Sequence, residues 1–195
     1  MKGAFFKWWY GNSRLDGIAD DMLQRYEDAF IFGGYVRGQV HPEKEVSDVD
    51  VAVKDDDFEK AKYHLRFIGC QEISSSTPVW LRRHVPYDPN FSLMPKLNIY
   101  ITIGQYTRFM CPKQVQVDLI DHKAFRETID TMPSDVHFLV KKKEGLVSYD
   151  EERFPTAVLE HSLREKVYQA LLEGGAGCEK LQKEGFRRLV VQEEE

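Results

Sequence analysis

From Ser47 to Val53 the chain reads Ser-Asp-Val-Asp-Val-Ala-Val. Val49, Val51 and Val53 alternate with Asp48, Asp50 and Ala52, the period of a β-strand. Residues i and i+2 of a strand share a face, so the valines enter a core while Asp48 and Asp50 project side by side from the other face. Aspartate is a poor strand former, and two like charges on one face repel each other. The arrangement is costly unless a cation lies between the carboxylates. This segment therefore demands a sheet packed on one face, with a carboxylate pair displayed on the other.

The rest of the chain supplies such a sheet. Leu15, Ile18, Met22, Leu23 and Tyr26 recur at helical spacing and predict a helix over about 14–28. Ala29-Phe30-Ile31-Phe32 reads as a strand ending at Gly33-Gly34, with a short helical turn over Tyr35–Val40. Asp55-Asp56-Asp57 supplies a cap and first-turn acids for a helix striped by Phe58, Ala61, Leu65 and Ile68 and stopped by Gly69. Strands are expected at about 70–76, about 79–84, 97–103 and 115–120, with irregular loop between Thr77 and Pro95, where four prolines fall. Residues 122–131 read as a helix. Val136–Val140 and Leu146–Tyr149 flank a hairpin turn. A helix is expected over 156–172, and a short one over about 178–184. The predicted class is α/β (α+β): a mixed β-sheet flanked by helices, with a short helical C-terminal appendage. The boundary is placed between residues 1–155 and 156–195.

Composition is consistent with one globular unit. The chain has 195 residues, 42% hydrophobic and 30% charged, within ordinary globular usage. Its formal net charge of −5 argues against nucleic-acid binding by bulk charge and leaves room for a local basic groove. The three cysteines are odd in number and lack CxxC spacing, so neither a disulfide framework nor a zinc site is expected. With no apolar run approaching a spanning helix and no signal-peptide pattern, the expected address is cytoplasmic, without membrane association.

Three features combine into a candidate site. Gly33-Gly34 closes a strand, where glycine permits positive φ and close backbone approach. Helix N–H groups starting there would suit an anion, and Arg37 could reach a phosphate. Asp48 and Asp50 follow, Asp50 sixteen residues beyond Gly34. Asp118 lies on the later strand Val117-Asp118-Leu119. Carboxylates are the ligands of hard cations such as Mg²⁺ (or Mn²⁺), which usually retain a substrate phosphate. Three of them can hold two ions about 3.5–4 Å apart, clamping the oxygens of an in-line phosphoryl displacement.

The run FGGYVRGQVHPEKEVSDVDVAV resembles the signature of the DNA-polymerase-β-like nucleotidyltransferase superfamily, over about residues 25–150. That signature is a Gly-Gly or Gly-Ser turn, then Asp-hydrophobic-Asp-hydrophobic, then a third carboxylate on a later strand. Gly-Gly-x-Val-Arg is most similar to the head domain of CCA-adding enzymes and bacterial poly(A) polymerases. The resemblance implies that Gly33 and Gly34, with Arg37 and Ser47 beside them, hold a nucleoside triphosphate. It implies that Asp48, Asp50 and Asp118 bind two divalent metals, Asp118 also helping to activate an acceptor hydroxyl. The implied reaction transfers a nucleoside monophosphate, AMP by preference, to a hydroxyl and releases pyrophosphate. An RNA 3′ end, a protein side chain and a small molecule are all open as acceptors, with a lean to RNA.

The chain departs from that family in three ways. Gly38 stands where the head usually has Asp. The Arg-Arg-Asp-Phe-x-x-Asn segment has at best an echo in Met132–Phe138. The helical neck, body and tail that read tRNA are missing, which implies a minimal stand-alone head. These departures keep a second reading open: a nucleotide-binding or regulatory, antitoxin-like module on the same fold, without turnover.

Arg82-Arg83-His84 and Lys141-Lys142-Lys143 are expected to be solvated loop or hairpin residues, and the run Phe5–Tyr10 to cover the sheet.

Overall fold

A computed structural model describes residues 14–42, 46–73, 77–84, 98–129, 131–172 and 176–189; for 14, 77–84, 98–103 and 176 only the backbone is described. Among the described residues, an eight-stranded mixed sheet forms the centre. Its elements follow in chain order: α1 (Arg14–Arg25), β1 (Phe30–Phe32), α2 (Gly34–Val40), β2 (Asp48–Val53), α3 (Phe58–Phe67), β3 (Gln71–Glu72), β4 (Thr77–His84), β5 (Asn98–Cys111), β6 (Val115–Asp121), α4 (His122–Ile129), β7 (Leu139–Lys142) and β8 (Gly145–Ser148). The chain continues with α5 (Thr156–Arg164), β9 (Val167–Gln169), α6 (Ala176–Lys183) and β10 (Arg187–Leu189). The sheet order is β3-β5-β6-β2-β1-β7-β8, with β4 paired to β5. Only β2 and β6 run parallel within it; the other pairs are antiparallel.

The alternation of β2 decides how the two faces are used. Val49, Val51 and Val53 join Val117, Leu119, Ile31 and Phe109 in one apolar cluster, sealed by Ile18, Met22 and Leu23 of α1 and by Phe58, Ala61 and Leu65 of α3. The opposite face carries Asp48 and Asp50, then Ala52, which joins Phe30, Ile120, Phe125 and Val140 in a second cluster. Residues of the C-terminal segment close that second cluster: Leu159 and Leu163 of α5, Tyr168 of β9, Leu181 of α6, and Phe186. The carboxylates thus stand beside the C-terminal segment, across the sheet from α1 and α3.

The expected class is borne out: a mixed sheet flanked by helices, followed by a C-terminal segment with two short helices. Three local expectations are corrected. First, β5 runs on to Cys111, well past the expected end at 103, because it pairs with β6 from Tyr106↔Ile120 to Cys111↔Val115. Second, the helix expected over 156–172 ends at Arg164. Lys166 takes a left-handed φ of 51°, and Val167–Gln169 turns into a strand that pairs in parallel with Arg187–Leu189. Third, Cys70 and Cys111 form a disulfide, leaving Cys178 as a free, buried thiol among the described residues. Their 41-residue separation carries no spacing signal. The pair forms because the turn after α3 lands against the end of β5, and the cysteine argument for a reducing compartment falls with it.

No helix among the described residues is long and apolar enough to cross a membrane. The side chains of Arg82, Arg83 and His84, the aromatic run Phe5–Tyr10 and the Thr77–Pro95 loop beyond His84 lie outside the described residues. Lys141 is not a hairpin-tip charge: its Nζ lies 3.3 Å from Asp20 Oδ1, holding β7 to α1.

Candidate active site

β1 ends at Gly33 and α2 begins at Gly34. Register places Phe32 opposite Asp50, so the turn that follows Phe32 sits over the carboxylate pair. Gly33 has φ 72°, in the left-handed region. A β-carbon there would lie 2.2 Å from Asp50 Oδ2, and one on Gly34 would lie 3.6 Å from Asp48 Oδ1. The two glycines therefore bring bare backbone against the two aspartates. Gly38, the departure from the family pattern, has its own reason: a β-carbon there would meet Val46 Cγ2 at 2.3 Å. No side chain fits at that position unless Val46 moves.

β6 brings in the third acid. The parallel register pairs Asp50 directly with Asp118 and Asp48 with Gln116. In a parallel pair, facing residues point to the same side, so Asp118 joins the carboxylate face. Its carboxylate is already occupied. Arg108 of β5 donates from Nε to Oδ1 at 2.7 Å and from Nη2 to Oδ2 at 2.8 Å, and the Tyr106 hydroxyl donates to Oδ1 at 3.0 Å. Sequence reading missed both partners, because β5 was not followed past residue 103. Once β5 is extended, the alternation of Tyr106, Arg108 and Met110 with Thr107, Phe109 and Cys111 becomes a usable signal.

The electrostatics follow from this packing. Burial, together with the charges of Asp48 and Asp118, pushes the Asp50 carboxyl up to about 7. Lys180 of α6 and Arg37 act in the opposite direction. Asp48 and Asp50 are thus two hard oxygen donors, one of them held against its preference for charge by burial and like neighbours. That donor chemistry fits a divalent cation, which would relieve the repulsion. Among the described residues, no group of three His, Cys, Asp or Glu side chains is gathered closely enough to hold a metal unaided.

Arg37 is brought to the same corner but turned away from solvent. It is 4% exposed and forks onto Glu184, just beyond α6, from Nε at 3.1 Å and Nη2 at 3.5 Å. The pair ties α2, and with it the Gly33-Gly34 turn, to the C-terminal segment. Nearby His137 is held neutral: burial and the charge of Arg37 lower it to about 4. Breaking a buried ion pair from one side leaves a charge uncompensated and costs about 3–5 kcal/mol. Glu184 is partly exposed, so Glu184→Gln should lose about 2–3 kcal/mol in urea denaturation, below that range. The double change Arg37→Met with Glu184→Leu should recover most of the loss.

Ser47 is exposed at the start of β2, where its carbonyl accepts from the Gln116 N–H at 3.4 Å. The echo segment around Asp135 is structural: the Asp135 carboxylate, 4% exposed, accepts from the N–H groups of Val136 at 2.8 Å and Gln169 at 2.9 Å, fastening β9.

No family model matches this chain, and no curated protein matches it. Solved structures do. A CCA-adding enzyme in an apo form aligns over 95% of this chain and 42% of its own length, with TM-score 0.59 and 13% identity. The Thermotoga maritima CCA-adding enzyme complexed with tRNA aligns over 95% and 42%, with TM-score 0.56 and 11% identity. A CCA-adding enzyme in complex with ATP aligns over 85% and 36%, with TM-score 0.53 and 11% identity. The chain spans about two fifths of the length of these proteins. With the Gly33-Gly34 turn lying over a strand of alternating aspartates, this likeness shows that the chain has a nucleotidyltransferase-like fold.

Proposed function

We propose that this chain is a divalent-cation-dependent nucleotidyltransferase that moves a nucleoside monophosphate, AMP by preference, from a triphosphate to a hydroxyl and releases pyrophosphate. One observation carries the reading. Asp48 and Asp50 stand side by side on β2 directly beneath a glycine turn that admits no side chain at Gly33. A core strand gains nothing from such a pair, whereas a cation and a phosphate use all of it.

In this reading Asp48 and Asp50 hold Mg²⁺ (or Mn²⁺), which neutralises phosphate charge and lowers the pKa of an attacking hydroxyl when bound. Gly33 and Gly34 let the backbone approach the triphosphate, and Ser47 borders it. Asp118 completes the cation-binding row and takes the proton that the attacking hydroxyl gives up. Arg37, through Glu184, fixes the turn and adds a positive field from behind. Residues 1–155 carry the chemistry, and 156–195 brace it. The acceptor favoured is an RNA 3′ end, since the structural relatives include an enzyme complexed with tRNA and one complexed with ATP.

Incubation with labelled NTPs, Mg²⁺ and RNA, protein or small-molecule acceptors tests the reading. Transfer with pyrophosphate release is expected, ATP being the best donor, and RNA is expected to be labelled at its 3′ end. The second reading, a binding module without turnover, is favoured by Asp118 and Arg37 both being held by protein partners. Stabilisation by Mg²⁺ and ATP with no product from any acceptor would decide for it.

A further inference from the structure

Arg108, Asp118 and Asp50 form one row across three neighbouring strands: Arg108 is in register with Asp118, and Asp118 with Asp50. An ionised carboxylate offers about four lone-pair positions. At Asp118 four donors take them. The Arg108 fork contributes two at 2.7 and 2.8 Å, the Tyr106 hydroxyl one at 3.0 Å, and Gln116 Nε2 one at 3.3 Å to Oδ2. The Asp118 side chain is 13% exposed and that of Arg108 42%, so the carboxylate is sheltered while the guanidinium reaches solvent. A cation arriving at Asp118 has to displace a charge-assisted donor before it finds a lone pair.

We propose that Arg108 is a built-in counter-ion for Asp118, competing with a divalent cation for that carboxylate and so setting how tightly the acidic row binds cations. The proposal rests on the reading of Asp48, Asp50 and Asp118 as the cation-binding row. Arginine suits the role. Its planar fork matches a carboxylate in two bonds, and its charge is permanent. A guanidinium partly in water can leave without opening the core. Until it leaves, Asp118 contributes no free oxygen, and binding falls to Asp48 and Asp50.

The test uses Mn²⁺ alone as the probe, titrated into metal-free full-length protein without nucleotide and followed by electron paramagnetic resonance. Arg108→Gln removes the charge and keeps a hydrogen-bond donor; Arg108→Lys keeps the charge and loses the fork. Arg108→Gln should bind Mn²⁺ at least about tenfold more tightly than the wild type, with Arg108→Lys in between. Adding Asp118→Asn to Arg108→Gln should erase the gain. Equal or weaker binding by Arg108→Gln overturns the proposal; if circular dichroism shows that variant unfolded, Arg108→Lys against the wild type decides. Mn²⁺ binding that needs Asp50 but ignores Arg108 sinks the proposal and leaves the cation-binding row standing. Binding absent from both proteins, or unaffected by Asp50→Asn, sinks the row itself and the proposal with it.

Discussion

Asp50→Ala should abolish nucleotidyl transfer, by on the order of 10³-fold or more in kcat/KM, equivalent to about 4 kcal/mol of barrier. The same change should not destabilise the protein. Without a divalent cation, Asp50 is a half-buried acid between two others, its carboxyl raised to about 7 by desolvation first and by Asp48 and Asp118 next. A group whose folded pKa lies above its unfolded one binds more protons when folded, so the stability it brings is lost as pH rises from about 4 towards 7. Asp50→Asn removes that loss. In metal-free buffer at pH 7 its midpoint in urea should equal or exceed that of the wild type. Mg²⁺ should then raise the wild-type midpoint and leave the variant where it was, since a ligand stabilises only what binds it. Activity and metal-free stability should move in opposite directions, a signature that a purely structural carboxylate does not give. A variant that keeps transfer, or one that loses midpoint in metal-free buffer, would overturn the role assigned to Asp50.

What was legible in the sequence followed local periodicity. The period-two run at 48–53, the helical stripe at 15–26 and the glycine stops at 33–34 and 69 each encode an element within one short window, and each element formed where it was read. What was hidden depends on partners far away in the chain. Val167 and Leu171 have the spacing of a helix that continues from Leu163. The chain instead breaks at Lys166, because β10 offers Val167–Gln169 a parallel partner about 20 residues further on. Likewise, Asp48 and Asp50 were readable as a pair because they share a strand. The Arg108–Asp118 fork and the Arg37–Glu184 fork bridge different elements, the second across 147 residues. Propensity says nothing about such pairings; only the sheet order and the closure of the second core cluster bring them together.

The glycine turn is the other place where a single methyl group should matter most. Gly33→Ala puts a β-carbon on a residue with φ 72° and 2.2 Å from Asp50 Oδ2. Both penalties act together. A non-glycine residue in a sparsely allowed region costs about 1–3 kcal/mol, and the contact forces either the turn or the carboxylate to move. The stability loss should reach at least about 2 kcal/mol in urea denaturation. Transfer should fall on the order of 10²-fold even at temperatures where the variant is fully folded, because a displacement of about 1 Å at a reacting centre is worth that much. Gly34→Ala is the matched control. Its β-carbon would stand 3.6 Å from Asp48 Oδ1, an ordinary contact, and the residue begins a helix. It should fold as well as the wild type, while the KM for the triphosphate rises if phosphate approaches the backbone there. If both alanines were equally harmful to folding, the turn would be structural alone. Stability lost only at Gly33, with triphosphate affinity weakened at both positions, would show that the glycines serve two purposes: one makes room for Asp50 and both admit the phosphate.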